Sequence, residues 1–349
     1  MLKQKLLHLF SMNKSDIHIA LALLDKKQNI VIVPHRNPDG DAMGSTLGLC
    51  AFLQKAGHQA KVISPNEFPD FLAWLPQSES VLIFEKNPEV ATQHLKEATL
   101  IFTLDFNTLH RTGELMEAVL KELTVPFLMI DHHEKPDNYA TYMFSETRYG
   151  STCEMVYHFI DALNRKDLID KDIATCLYTG IVTDSGSFKY PSTTSTTHRV
   201  VADLIDRGIN NSEVHNLVFD NNSYDRLRLL GRALEKMIVL PHLKTAYIVL
   251  TQKDLDEFNF QRGDSEGIVN YPLTIKGIVF SVIFIENLQE GIIKMSFRSQ
   301  GNFDVNLFAR NYFSGGGHKN ASGGRSNNSL EECVSHFLKV LENDNPAKL

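Results

Sequence analysis

Cysteine is scarce and scattered. Cys50, Cys153, Cys176 and Cys333 are the only four in 349 residues, and no two of them form a C-x-x-C pair. Neither a zinc knuckle nor a disulfide framework is indicated, so buried, reduced thiols are expected. Long apolar runs are missing too: nothing approaches the roughly 18 residues of a membrane span. The stretch from Leu6 to Met12 is interrupted by His8 and has no small-residue cleavage site behind it, so a cytoplasmic protein without membrane partners is the expectation. Positive charge is not in excess. With 35 Lys and Arg against 42 Asp and Glu, the formal charge is −7, and no basic run offers duplex nucleic acid a footprint. Repeats and low-complexity tracts are absent. What remains is an ordinary globular composition, 43% hydrophobic, long enough for two domains or three.

Hydrophobic patterning divides the chain. Leu6, Leu7 and Phe10, then Ile17, Ala20, Leu21 and Leu24, are spaced for two short amphipathic helices broken at Asn13 to Ser15, an extension over residues 1–28. From Asn29 the period changes. Ile30 to Val33 is an unbroken β-branched run stopped by Pro34, the signature of a buried parallel strand, and a helix is expected from about Gly44 to Ala56. Similar strands are read at Lys61 to Ser64, Val81 to Phe84, Thr99 to Leu104 and Pro126 to Ile130. This alternation predicts an α/β domain over 29–195, a doubly wound, mostly parallel sheet with its chemistry at the carboxyl ends of the strands. A helix from Lys171 to Thr183 delivers Asp184 at its end, and Tyr190 to Thr197 reads as a loop. Residues 196–240 are expected as a helical linker. Residues 241–349, with strands at Ala246 to Leu250, Ile278 to Ile285 and Ile292 to Phe297, then a Gly-rich loop and a helix from Leu330 to Leu341, predict a smaller α+β domain.

Four segments carry candidate chemistry. H-R-N-P-D-G-D-A-M-G-S sets His35, Asp39 and Asp41 within seven residues of one another, directly after the first strand. L-D-F-N places Asp105 at a later strand end, with Arg111 a few residues on. F-L-M-I-D-H-H ends another buried strand in Asp131, His132 and His133, three titratable groups that are costly to bury unless they bind something. T-D-S-G supplies Asp184. Turn chemistry or helix capping accounts for any one of these alone. Together, His35, Asp39, Asp41, Asp105, His132 and Asp184 make a mixed oxygen and nitrogen set, enough for two divalent ions sharing one carboxylate and better suited to Mn²⁺ or Mg²⁺ than to structural zinc. Ser151 and Thr152 follow Gly150 and open a helix, where capping it is favoured over touching a phosphate. Trp74 and the cluster from Phe71 to Leu75 read as core.

The four motifs in this order resemble those of the DHH phosphoesterase superfamily. F-R-S-Q and F-S-G-G-G-H-K-N-A-S-G-G resemble the DHH-associated domain of its nanoRNase and pAp phosphatase branch, and the likeness spans about residues 29 to 325. The resemblance implies one metal on His35, Asp39 and Asp105 and another on Asp41, Asp105, His132 and Asp184, with Asp105 as the bridge. It implies that Asp131 orients a ligating histidine and that His133 faces the substrate phosphate. Arg298, Gly315, Gly316, Gly317 and His318 then hold the far end of the substrate, and Arg111 adds a donor. Catalytic work thus falls to Asp39, Asp41, Asp105, Asp131, His132 and His133. The implied activity is hydrolysis of short oligoribonucleotides and dephosphorylation of 3′-phosphoadenosine 5′-phosphate (pAp), with linear pApA as a further substrate. Two divalent ions serve it, Mn²⁺ first and Mg²⁺ or Co²⁺ also accepted, in a cytoplasmic homodimer. The competing readings are a catalytically silent nucleotide-binding module and a polyphosphate or pyrophosphate hydrolase.

Overall fold

The computed structural model describes residues 14–261 and 263–348. The helix expected around Leu6, Leu7 and Phe10 lies outside the described residues. The second one is α1 (Lys14–Leu24), which already includes Lys14 and Ser15. The chain divides into two compact units, Met1–Asn221 and Asn222–Leu349.

In the first unit, β1 (Asn29–Val33), α2 (Gly40–Lys55), β2 (Gln59–Ser64), β3 (Leu82–Ile83), α3 (Pro88–Glu97), β4 (Leu100–Leu104), α4 (Glu114–Glu122), β5 (Phe127–Asp131) and β6 (Tyr142–Ser145) build a parallel sheet of order β3-β2-β1-β4-β5-β6. Helices α5 (Thr152–Ala162), α6 (Lys171–Asp184), α7 (Ser195–Asp206) and α8 (Asn211–Phe219) follow. The unbroken apolar strands have a direct cause. Ile30 and Ile32 point into one core with Phe102, Leu128 and Phe159, whereas Val31 and Val33 point into the opposite core with Ile101, Leu95 and Met116. With both faces covered, both parities are mainly apolar, and the buried Thr103 of β4 pairs its hydroxyl with that of Tyr139 at 2.8 Å. The order reverses between β1 and β4, whose carboxyl ends therefore border the crevice of a doubly wound sheet.

Helix α2 starts at Gly40, earlier than Gly44, because Asp39 Oδ1 accepts from the amides of Asp41 and Ala42 at 3.0 and 3.1 Å. Trp74 and Phe71 pack against the first core, where Leu72 and Leu75 are buried. All four cysteines are free and buried.

The second unit comprises α9 (Tyr224–Glu235), β7 (Ile238–Leu240), β8 (Thr245–Leu250), α10 (Gln252–Glu257), β9 (Phe280–Asn287), β10 (Ile292–Ser299), α11 (Val305–Tyr312), β11 (Gly316–His318), β12 (Ala321–Ser326) and α12 (Leu330–Leu341). Its mixed sheet runs β11-β12-β10-β9-β8-β7, with only β8 and β9 parallel. Phe280, Phe284, Phe297, Phe308, Phe313 and Phe337 fill one face, and Leu229, Ala233, Ile248, Leu255 and Ile283 the other.

Two expectations need correction. The linker over 196–240 is divided between the units: α7 and α8 bury Val200, Val201, Leu204, Val214 and Val218 in the first core, and α9 buries Leu229 and Ala233 in the second. The boundary falls at Asn221 and Asn222, and the segment ends as the edge strand β7. The Gly-rich stretch is a β-hairpin rather than a loop, because Gly316, Gly317 and His318 pair with Gly323, Ser322 and Ala321.

Asp254 joins α9 to α10. It is buried and accepts from Thr251 N and Oγ1 at 2.9 and 2.7 Å, from Arg232 Nη1 at 3.0 Å and from Lys236 Nζ. Burial raises its carboxyl, but these donors outweigh burial and hold it at about 2. A carboxyl depressed in the folded state stabilises above its ordinary range and loses that contribution as pH falls towards 2. Asp254→Asn is therefore expected to cost on the order of 2 kcal/mol at pH 7, and progressively less below pH 4. Hydrogen exchange of the β8 and β9 amides across that range checks it.

Candidate active site

The carboxyl ends of β1, β4 and β5 bring the candidate residues to the switch-point crevice. Past β1, His35 is buried, its Nδ1 facing the Arg36 carbonyl at 2.9 Å and its Nε2 lying 3.5 Å from Asp105 Oδ2 and 4.0 Å from Asp39 Oδ2. The loop after β1 is braced by buried Asn66, which accepts from Asn37 N at 2.7 Å and donates to Asn37 Oδ1 at 2.8 Å. Asp105, past β4, has φ +65°, a left-handed conformation in which Asp is better tolerated than most side chains. Strain of this kind concentrates at functional sites.

Asp41 sits in the first turn of α2 and is fully buried. Its carboxylate accepts two amides from the start of α5: Thr152 N at 2.6 Å and Cys153 N at 2.9 Å. Thr152 Oγ1 donates to Asp105 Oδ1 at 2.9 Å, so one residue braces both carboxylates. Ser151 is the actual cap of α5, accepting from Glu154 N at 3.1 Å. Close approach of α6 completes the arrangement. A Cβ on Gly180 would come 2.7 Å from Asp41 Oδ1 and 2.2 Å from Cys153 Sγ, and one on Gly44 would come 2.4 Å from the Cys176 carbonyl. Bare glycine faces let α2 and α6 approach until Asp184, at the end of α6, reaches the cluster.

His132 Nε2 lies 3.4 Å from Asp105 Oδ1, 3.4 Å from Asp184 Oδ2 and 3.9 Å from Asp41 Oδ2. Ligand atoms of His35, Asp39 and Asp105 fall within 4.8 Å of one another, as do those of Asp41, His132 and Asp184, and those of Asp105, Asp131 and His133. Asp131 does not orient His132, whose Nδ1 faces the Tyr149 carbonyl at 3.3 Å. It orients His133 instead, through Nδ1 at 2.7 Å and the backbone amide at 2.9 Å. The motif's Asn107, passed over in the sequence, donates to the carbonyls of His133 and Glu134 and so holds the D-H-H turn against β4. Arg111 is exposed and near enough for its charge to be felt at His35; its carbonyl accepts from Arg36 N at 2.7 Å.

Electrostatics shows what the cluster lacks. Burial, then the charges of Asp105 and Asp184, push Asp41 well above the usual carboxylate range against the pull of His132. Asp184 keeps a third of its side chain exposed, yet desolvation among its neighbours, then Asp39 and Asp105, raise it to about 7 against His132. Asp105 goes the other way: burial raises it, but hydrogen bonds from His132 and His35 hold it well below the ordinary range. Burial lowers His132, but Asp105, Asp184 and Asp41 carry it well above its usual value. Five carboxylates beside three imidazoles are an excess of negative charge that divalent cations would balance, and hard oxygens with imidazole are the donors that Mn²⁺ and Mg²⁺ accept. The residues present fit such ions.

The remaining candidates lie in the second unit. Arg298 of β10 and His318 of β11 both pair across to Ala321 of β12, so they share one row and one sheet face. Gly315 and Gly317 are required by the hairpin itself: a Cβ would come 2.0 Å from the Gly323 carbonyl and 2.6 Å from the Ala321 carbonyl, respectively. Gly316 has room, its nearest neighbour being Arg310 Nη2 at 3.6 Å.

A doubly wound sheet with clustered Asp and His at its switch point is the frame of a divalent-metal phosphoesterase. The chain belongs to the DHH family: residues 29–181 match the DHH family N-terminal domain and residues 243–344 the DHHA1 domain. It is 31% identical to the bifunctional oligoribonuclease and PAP phosphatase NrnA of Thermus thermophilus, over 90% of each chain. It is 29% identical to the probable bifunctional oligoribonuclease and PAP phosphatase NrnA of Streptococcus mutans, over 92% of this chain and 97% of that one. A crystal structure of an exopolyphosphatase-related protein from Bacteroides fragilis superposes with a TM-score of 0.93 at 38% identity, covering 97% of this chain and 99% of that one. DHH-family phosphoesterases use divalent metals, for which this cluster offers candidate ligands.

Thr152→Val keeps the side-chain shape but removes the donor to Asp105, and is expected to weaken divalent-metal affinity about 10- to 100-fold with the fold intact, measured by calorimetric titration. Gly180→Ala is expected to destabilise by about 1–3 kcal/mol, read as a lower Tm.

Proposed function

We propose that this chain is a two-metal phosphoesterase that hydrolyses short oligoribonucleotides to mononucleotides and removes a phosphate from pAp, with pApA as a further substrate. The observation that carries the reading is Asp105. Its two oxygens face opposite ways, Oδ2 towards His35 and Oδ1 towards His132, so one carboxylate borders both ligand groups. In this reading His35, Asp39 and Asp105 hold one ion, and Asp41, Asp105, His132 and Asp184 the other. The pair, when bound, supplies an activated water and neutralises charge on the transferring phosphoryl group.

The chain's own residues do the rest. Thr152 and Cys153 keep Asp41 aimed inward, so the ligand set is ordered before any ion arrives. His133, oriented by Asp131, and Arg111 meet the phosphoryl oxygens as donors. Arg298 and the Gly315 to His318 segment take the substrate's other phosphate or terminal nucleotide. A ligand of a few nucleotides needs local positive charge rather than a basic groove, in keeping with the net charge of −7. The names of the Thermus and Streptococcus relatives support this substrate class. The reading extends to Mn²⁺ as the ion, the cytoplasm as the location and a homodimer as the assembly, as the family resemblance implies.

The test is product formation from pAp, pApA, inorganic polyphosphate and a 5′-labelled RNA series of two to about 24 nucleotides, the upper length exceeding a small pocket, with Mn²⁺ or chelator. Turnover confined to pAp, pApA and the shortest RNA, abolished by chelator, is the expected outcome. Asp105→Asn tolerates the left-handed backbone while removing the charge, and is expected to lose at least about a hundredfold in kcat. Polyphosphate turnover alone, or inactivity with Mn²⁺ bound, overturns the reading.

A further inference from the structure

Helix α9 buries Leu229 and Ala233 in the second unit and turns the opposite face to solvent. That face carries Tyr224 (77% exposed), Leu227 (51%) and Leu234 (39%). With Gly231, these positions step by three and four residues, the spacing of a helix–helix seam. Single exposed apolar side chains are ordinary, but several in register mark an interaction surface. Gly231 is the central position. Glycine inside a helix costs about 1 kcal/mol relative to alanine, and packing within the chain does not require it here, since a Cβ would meet nothing within 4 Å. A facing backbone would use that space.

Charge selects the occupant. The four neighbours of Gly231 on the helix surface are Leu227 and Arg228 on the N-terminal side, Leu234 and Glu235 on the C-terminal side. Arg228 and Glu235 are exposed; their ion-pair partners on the helix are Asp225 at 3.9 Å and Arg232 at 3.5 Å, and the Arg228 guanidinium also lies over the rings of Phe258 and Tyr224, at 4.8 and 5.8 Å from their centroids. If a second copy crosses antiparallel at Gly231, Leu227 meets the other copy's Leu234, and Arg228 meets its Glu235, each contact occurring twice. A parallel crossing would set Arg228 on the other copy's Leu227 and Glu235 on its Leu234, leaving both charges without an opposite partner. The surface is thus complementary to itself under a two-fold axis, the property of an isologous interface.

We propose that this stripe docks on the same stripe of a second copy of the chain, α9 crossing α9 antiparallel at Gly231. The inference rests on the homodimer read above and names its surface. One helix crossing buries less than the roughly 1,200 Å² of a standard interface, so association is concentration-dependent.

Sedimentation velocity over roughly 1–100 µM is expected to show the mass rising towards twice that of one chain. Leu227→Asp with Leu234→Asp stays monomeric across that range. Arg228→Glu weakens association, and adding Glu235→Arg restores it, which a folding defect would not do. Because the native cysteines are all buried, Gly231→Cys is expected to give a disulfide-linked dimer on mild oxidation. A wild-type monomer at every concentration overturns both the homodimer and this surface. A wild-type dimer that survives the double Asp substitution, or that Gly231→Cys does not cross-link, overturns the surface alone.

Discussion

The first unit turns on the burial of Asp41. A carboxylate with no exposure beside two other acidic groups is unfavourable unless its oxygens are satisfied. Here the amides of Thr152 and Cys153, at the positive end of α5, donate to them at 2.6 and 2.9 Å. These two hydrogen bonds satisfy its oxygens but do not outweigh burial and the neighbouring carboxylates, which still push Asp41 up. The geometry demands that α5 begin against α2 and that α6 close over both, hence the bare faces at Gly44 and Gly180. The start of α5 and the glycine placement on α2 and α6 both go with fitting this one carboxyl into the core.

The same constraint explains why the cluster divides its protons unevenly. Asp105 has imidazole on both sides and stays ionised, whereas Asp41 and Asp184 face other carboxylates and are pushed up. A site poised in this way exchanges protons for cations when metal binds. The second unit is built on different terms, an aromatic core under a mixed sheet and an edge hairpin whose backbone approach requires Gly315 and Gly317. Fold alone does not select among phosphate esters. In the proposed reading that choice falls to groups such as Arg298 and His318, which the β10, β11 and β12 register aligns in one row.

Much of the first unit was legible in the chain. Runs such as Ile30 to Val33 and Phe127 to Ile130 are apolar at both parities, and that pattern belongs to a sheet covered on both faces; the polar residues directly after them then had to lie at its carboxyl edge. Less was legible where partners are distant in sequence. Asp131 was read as serving a ligating histidine, but it holds His133, because the turn after β5 brings that ring back over it. Thr152 looked like a cap, yet its hydroxyl reaches Asp105, 47 residues away. The hairpin of β11 and β12 read as a loop, since glycine is depleted in strands and its pairing depends on a partner that local composition does not reveal.

By itself, then, the sequence determined the class of fold, the edge of the sheet where chemistry occurs and the residue types gathered there, because periodicity and strand-end composition are local properties. Tertiary structure decided which carboxylate stays charged, which histidine Asp131 orients and where one unit gives way to the next. Those outcomes depend on desolvation and on contacts between segments far apart in the chain, and neither exists until the helices have closed over the sheet.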